Sequence, residues 1–229
     1  MTDRPILFSG PMVRALLDGT KTQTRRVLKP QPLQWQAAVI DILPPTQDGS
    51  GNWGQVETVW SGAGMCEPDH EVWHPIRHHR VGDRLWVRET WAFDVNAIGS
   101  MRDEEGPFVY AADPSGARTR LCERWTPSIH MPRWASRLTL IVTDVRVQRL
   151  QEISDTDAMA EGLTPVRSPI NGHVTYQVPN LLGGQTPQRA FKVLWDTING
   201  PGAWDANPWV VATTFTVHRC NIDQMEARR

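Results

Sequence analysis

Gly19-Thr20-Lys21-Thr22-Gln23-Thr24-Arg25-Arg26 gathers one lysine, two arginines and three threonine hydroxyls into one short run. Side chains of these types bind phosphate or the edge of a base, with Arg25 and Arg26 offering forked N–H donors. The competing reading is a solvated basic turn. Two further basic stretches stand out. Arg77, Arg80, Arg84 and Arg88 face a single Asp83, and Arg133, Arg137, Arg146 and Arg149 face Asp144. A third cluster, Cys66, His70, His74, His78 and His79, has spacings that zinc could use, but there is no Cys-x-x-Cys. A solvated His-rich loop is the simpler reading, so no metal and no cofactor is assigned.

The polar octapeptide needs a scaffold, and its flanks supply one. Residues 5–8 (Pro-Ile-Leu-Phe) read as a short buried strand. Ser9 and Pro11 suit a helix start, Met12, Val13, Leu16 and Leu17 form an apolar face over about 11–18, and Gly19 supplies the stop. The basic run should therefore be a loop leaving a packed helix, with almost none of it in the core. Residues 29–80, rich in Pro, Gly, Gln and His, read as a loop-rich insertion of short strands. Strands are expected at 84–91, with Leu85 and Val87 on one face, and at 108–112 and 138–150. Ser154 with Asp157 marks a helix start close to a capping box, and that short helix ends at Glu161-Gly162. Residues 163–186 read as loop. Thr186-Pro187 opens a helix burying Ala190, Phe191, Leu194 and Trp195, and 209–217 is the last strand.

Strands interrupted by short helices give an α+β class around a small, partly closed barrel, with 1–229 as a single domain. A net charge of −1 excludes a global field for nucleic acid, so any such binding must be local. Three scattered cysteines, no apolar leader and no long apolar run predict a cytoplasmic protein without membrane contact. Eleven tryptophans against two tyrosines make indole stacking on bases available, although core or rim packing explains most of them.

Phe8 to Arg26 resembles the opening of ASCH domains of the PUA-like superfamily, most closely the long form common in bacteriophages and prophages. Gly82-Asp83-Arg84-Leu85-Trp86-Val87-Arg88-Glu89-Thr90-Trp91 is similar to that group's second block, and Pro127 to Arg137 to its third. Ile153 to Gly162 and Trp204 to Val210 resemble the remaining two, so the likeness spans most of the chain. The resemblance implies a small β-barrel with flanking helices and a cleft linked to RNA. One shorter branch of the family hydrolyses 4-acetylcytidine, and its lysine, threonine and glutamate fall on Lys21, Thr24 and Glu161 here.

On that resemblance, Thr24 is the candidate nucleophile, Lys21 its activator if burial and Arg25 and Arg26 depress its pKa, and Glu161 a proton donor or water-positioning group. Arg25, Arg26, Glu89, Trp91, His130, Arg133, Trp134, Arg137, Trp204 and Asn207 are the candidate ligand- or nucleic-acid-binding residues. Each has a plainer reading: Glu89 as an arginine's ion-pair partner, His130 as hydrogen-bonded structure, Trp204 and Asn207 as the turn before the last strand. The expected partner is a nucleoside or single-stranded RNA. Three activities stay open: an amidohydrolase acting on a modified cytidine, a non-catalytic RNA-binding module, and a ribonuclease.

Overall fold

The computed structural model describes residues 2–29, 31, 40–42, 45–59, 70–75, 78–94, 106–114, 124–169, 172–178 and 181–225. In chain order the elements are β1 (Asp3–Leu7), α1 (Gly10–Leu17), β2 (Gln23–Val27), β3 (Ile40–Ile42), β4 (Thr46–Gln47), β5 (Trp53–Val59), β6 (His70–Pro75), β7 (Arg84–Arg88), β8 (Trp91–Phe93) and β9 (Phe108–Tyr110). They continue with β10 (Thr139–Arg149), α2 (Asp155–Ala160), β11 (Thr164–Arg167), β12 (Val174–Val178), β13 (Leu181–Gly184), α3 (Pro187–Asn199) and β14 (Trp209–His218). The class is mixed α+β, dominated by strands.

The central sheet runs β1-β7-β10-β14-β2, with β1 parallel to β7 and the other pairs antiparallel. The expected barrel does not close among the described residues, because β1 and β2 are left as the two sheet edges. A side chain nevertheless links them: Arg26 Nη2 on β2 donates to the Leu7 carbonyl on β1 at 2.6 Å. β10 carries the longest ladder and explains a change of parity in its sequence. Leu140 and Val142 are buried, then Val145 and Val147, and the register with β14 shifts between Val142 and Asp144. One extra residue there lets both pairs face the same core, which is what a β-bulge does.

That core joins Ile6, Phe8, Val13, Leu16, Leu85, Val87, Leu138, Leu140 and Phe215. A second core lies under α3, where Ala190, Phe191, Leu194 and Trp195 meet Leu150, Ile153, Ala158 and Leu163. α3 starts as its sequence dictates: the Thr186 side chain accepts from Arg189 N, and Pro187 opens the first turn. Ser9 occupies the N-cap of α1 without a side-chain capping bond.

Three expectations are corrected. Residues 163–186 are not loop but hold the three-stranded sheet β11-β12-β13. The 84–91 strand is two strands, β7 and β8, separated by Glu89 and Thr90. The basic run is not a solvated loop, since Gln23 to Val27 pair with β14 inside the central sheet. Within the 29–80 insertion the described strands β3 to β6 form their own sheet. Trp53 starts β5, packs against the main core and donates its indole N–H to Val145 O at 3.1 Å.

Candidate functional site

Four residues of the polar run are buried, contrary to their composition: Lys21 is 1% exposed, Gln23 2%, Thr24 4% and Arg25 5%. Ionised groups at that depth require partners, and α2 brings them. Asp157 and Glu161 stand four residues apart, so they share one side of the helix end, which faces β2. Lys21 Nζ donates to Glu161 Oε2 at 2.7 Å, to the Glu161 carbonyl at 3.0 Å and to the Gln23 carbonyl at 2.8 Å. Arg25 pairs with Asp157 at 3.0 Å and with Glu161 at 3.4 Å, and also donates to Gln23 Oε1. Asp157 further accepts from Gln23 and Arg146.

The backbone clamps the same place. Lys21 and Glu161 form a β-bridge, and Thr22 N donates to Ala160 O at 2.8 Å. Gly162 follows with φ +100, and a Cβ there would lie 3.1 Å from Ala15 Cβ and 3.3 Å from Lys21 Cβ. Only glycine suits both that dihedral and that spacing.

Burial lowers the Lys21 pKa, with Glu161 opposing the shift and Arg26 and Arg25 adding to it. Burial likewise lowers Arg25, against the pull of Glu161 and Asp157. For Asp157 burial acts to raise the pKa, but hydrogen bonds from Arg146 and Gln23 and the charges of Arg25 and Arg146 outweigh it. Its carboxyl is held down at about 2. The helix start expected at Ser154 is observed. Asp157 donates its backbone N–H to Ser154 Oγ as a cap should, while its carboxylate is turned to β2 and Arg146.

Thr24 and Glu161 line one small cleft of about 60 Å³, with Met12, Arg25, Arg26, Phe191, Leu194 and Trp195 among its walls. The Thr24 hydroxyl makes no hydrogen bond to another described residue. Beside this cleft lies an open groove of about 420 Å³ that shares Arg26, Val27, Trp195 and Asn199 with it and adds Lys29, Ala203, Ala206 and Pro208. The Phe8 ring sits under two cations, with Lys21 Nζ 5.8 Å and Arg26 5.7 Å from its centroid.

The other expected binding residues lie elsewhere. Glu89 is 1% exposed and bound at 2.8 and 3.0 Å by Arg137, which also bonds Asp113 and stacks 3.9 Å over Tyr110. Burial raises the Glu89 pKa despite Arg137. Trp91 is buried at 5% exposure and meets Phe93, Phe108 and Trp134 edge-on or tilted, so neither Trp91 nor Trp134 stands as a free stacking platform. Arg133 is held by Asp3 and Asp223. His130 is exposed on a 3-10 turn and joins none of these groups. Trp204 packs on Phe191, and Asn207 accepts from Gln151 N at 2.9 Å, which makes both of them turn-formers before β14. Cys66 lies outside the described residues, and His78 accepts from Trp53 N. Among the described residues no group of three His, Cys, Asp or Glu could hold a metal ion.

Sequence reasoning missed Gln23, Asp157, Arg146, Phe191 and Trp195 as parts of this site. The i, i+4 spacing of Asp157 and Glu161 was the signal for two of the partners. Among the described residues no helix is long and apolar enough to cross a membrane. No protein-family model matches this chain, and comparison with curated proteins and with solved structures gives no match.

Proposed function

We propose that this protein hydrolyses an acyl amide on a nucleobase, with 4-acetylcytidine as the simplest substrate, in a PUA-like fold of the ASCH type and a cytoplasmic setting. One observation carries the reading: Lys21 and Glu161, 140 residues apart, bond at 2.7 Å, and Glu161 shares a cleft with the unbonded Thr24 hydroxyl. In this reading the Thr24 hydroxyl attacks the acyl carbonyl and its proton passes to the Glu161 carboxylate, which the Lys21 ammonium holds in place at the cleft wall. The C–N bond then breaks, and the base nitrogen receives a proton from Lys21 or Glu161. Water hydrolyses the threonyl ester to release acetate.

A single nucleoside suits the charges better than a strand. Arg25, Arg133, Arg137 and Arg146 are each paired with carboxylates, so they offer no open basic track. A non-catalytic nucleobase-binding module is the second reading. It is favoured by Lys21 itself, whose three donated bonds all have acceptors.

Incubation with 4-acetylcytidine, and separately with single-stranded RNA, followed by chromatography, tests both. Cytidine and acetate should appear with the wild-type protein. Thr24→Val should lower the rate at least about a thousandfold, as loss of a nucleophile does, while leaving the fold intact. Salt-sensitive binding without turnover supports the module instead, and cut RNA with intact nucleoside supports a ribonuclease.

A further inference from the structure

The groove beside Thr24 carries two cations that make no ion pair among the described residues. Lys29, exposed on its lip, makes no ion pair among the described residues. Arg26, which lines both the groove and the inner cleft, bonds only a backbone carbonyl, that of Leu7. That single bond leaves four of its five N–H donors for a ligand. By contrast, Arg84, Arg133, Arg137 and Arg146 each meet a carboxylate at 3.1 Å or less. Uncompensated cations at the mouth of a groove are a place for an anion.

Two wall residues also carry a buried, unpaired donor. Trp195 is 4% exposed and its indole N–H is buried without a partner; Trp195 lines both the cleft and the groove. Arg25 Nε, on the cleft wall, is likewise buried and unbonded. Both N–H groups have almost no accessible surface, so they lie behind the walls rather than open to the space, and a buried donor left unpaired is costly. The larger groove is walled by Val27, Trp195, Ala203, Ala206 and Pro208, an apolar lining that suits a flat ring. Size divides the two compartments. About 60 Å³ is roughly the room of two water molecules, enough for an acyl head, whereas about 420 Å³ lies in the range of small-molecule sites.

We propose that the groove holds a nucleoside monophosphate, its phosphate gripped by Arg26 and Lys29 and its base laid against the apolar wall around Trp195, Ala203 and Pro208. The inference deepens the hydrolase reading and rests on its placement of the site, but binding alone decides it. The phosphate is that of a free mononucleotide rather than of a strand, because the other arginines named above are neutralised by acids.

Quenching of tryptophan fluorescence or calorimetry with cytidine, cytidine 5′-monophosphate, inorganic phosphate and a single-stranded oligonucleotide tests it. The monophosphate should bind at least about tenfold more tightly than cytidine or phosphate alone, the gain expected of one or two charge-assisted contacts. Lys29→Ala and Arg26→Gln should each reduce that preference, and Lys29→Ala should leave cytidine affinity within about twofold. Lys29, exposed and unpaired, can be removed without disturbing the fold, so its variant stays informative if Arg26→Gln is unstable. Equal affinities for nucleoside and monophosphate overturn the proposal, as do tighter binding of the oligonucleotide, of phosphate alone, or an unchanged preference in Lys29→Ala. Preferential binding of the monophosphate without deacylation overturns the hydrolase reading and leaves this inference standing. Deacylation with no phosphate preference does the reverse.

Discussion

At the scale of single residues, the cost of burying charge decides what each group near β2 can do. Lys21 at 1% exposure is tolerable because Glu161 and two carbonyls receive its three donated bonds. Lys21→Met should therefore destabilise the protein by about 3 kcal/mol, as breaking a buried pair does, measured as a shift in the urea midpoint. Thr24→Val, which removes a hydroxyl with no hydrogen-bond partner among the described residues, should change stability by under about 0.5 kcal/mol; that contrast makes Thr24 the cleaner test of chemistry. Asp157 gives a pH signature. Its folded pKa of about 2 lies below the ordinary 3.8, so its contribution is complete above the ordinary value and is lost as pH falls through about 2. The difference corresponds to about 2 kcal/mol. Stability of Asp157→Asn should accordingly be flatter than wild type between about pH 5 and pH 2, followed by denaturant titration at each pH. Gly162→Ala combines a positive φ with a 3.1 Å approach to Ala15 Cβ. It should cost about 1–3 kcal/mol and, if the hydrolase reading holds, lower turnover through displacement of Lys21.

Elements were legible to the extent that their signals were local. α3 is bounded by Thr186 and Pro187 and buries the four residues its apolar spacing marked. β7 hides Leu85 and Val87 as their alternation required. Thr186→Ala should lower stability by about 1 kcal/mol for loss of the bond to Arg189 N, read from thermal unfolding. β2 was illegible because four of its five side chains are polar, and partners from α2 and β14 make it an interior strand. Residues 163–186 lack a clean alternation, and Gly183 and Gly184 speak for turns. The sheet β11-β12-β13 nevertheless forms there, with Gly184 close against the first turn of α3. The meeting of Lys21 with Glu161 entered through family likeness, whereas Asp157 and Gln23 were hidden because a cap residue and an amide have plainer local uses.

At the scale of the whole molecule, the central sheet is open, yet its two edges are tied by a single guanidinium that also lines the groove. Of the arginine-rich stretches that suggested an RNA surface, Arg84, Arg133, Arg137 and Arg146 are satisfied internally by Asp3, Glu89, Asp113, Asp157 and Asp223. Composition could not reveal this, because pairing is a property of three-dimensional placement. The insertion sheet β3 to β6 is anchored to β10 through the Trp53 indole. Trp53→Phe keeps the ring and loses the N–H. It should therefore raise protease sensitivity of that sheet with little change in global stability, as tracked by limited proteolysis.

The bond between Lys21 and Glu161 has a temporal consequence as well. Its two halves are separated by 140 residues, and β7, β10 and β2's partner β14 belong to the framework that aligns them. Closing so long a span is slow relative to local helix formation. During refolding from denaturant, helical signal should return first and ligand binding last. Competence of the cleft is then a late-forming reporter of complete assembly, and a chain stalled with only one half of the sheet in register stays inert.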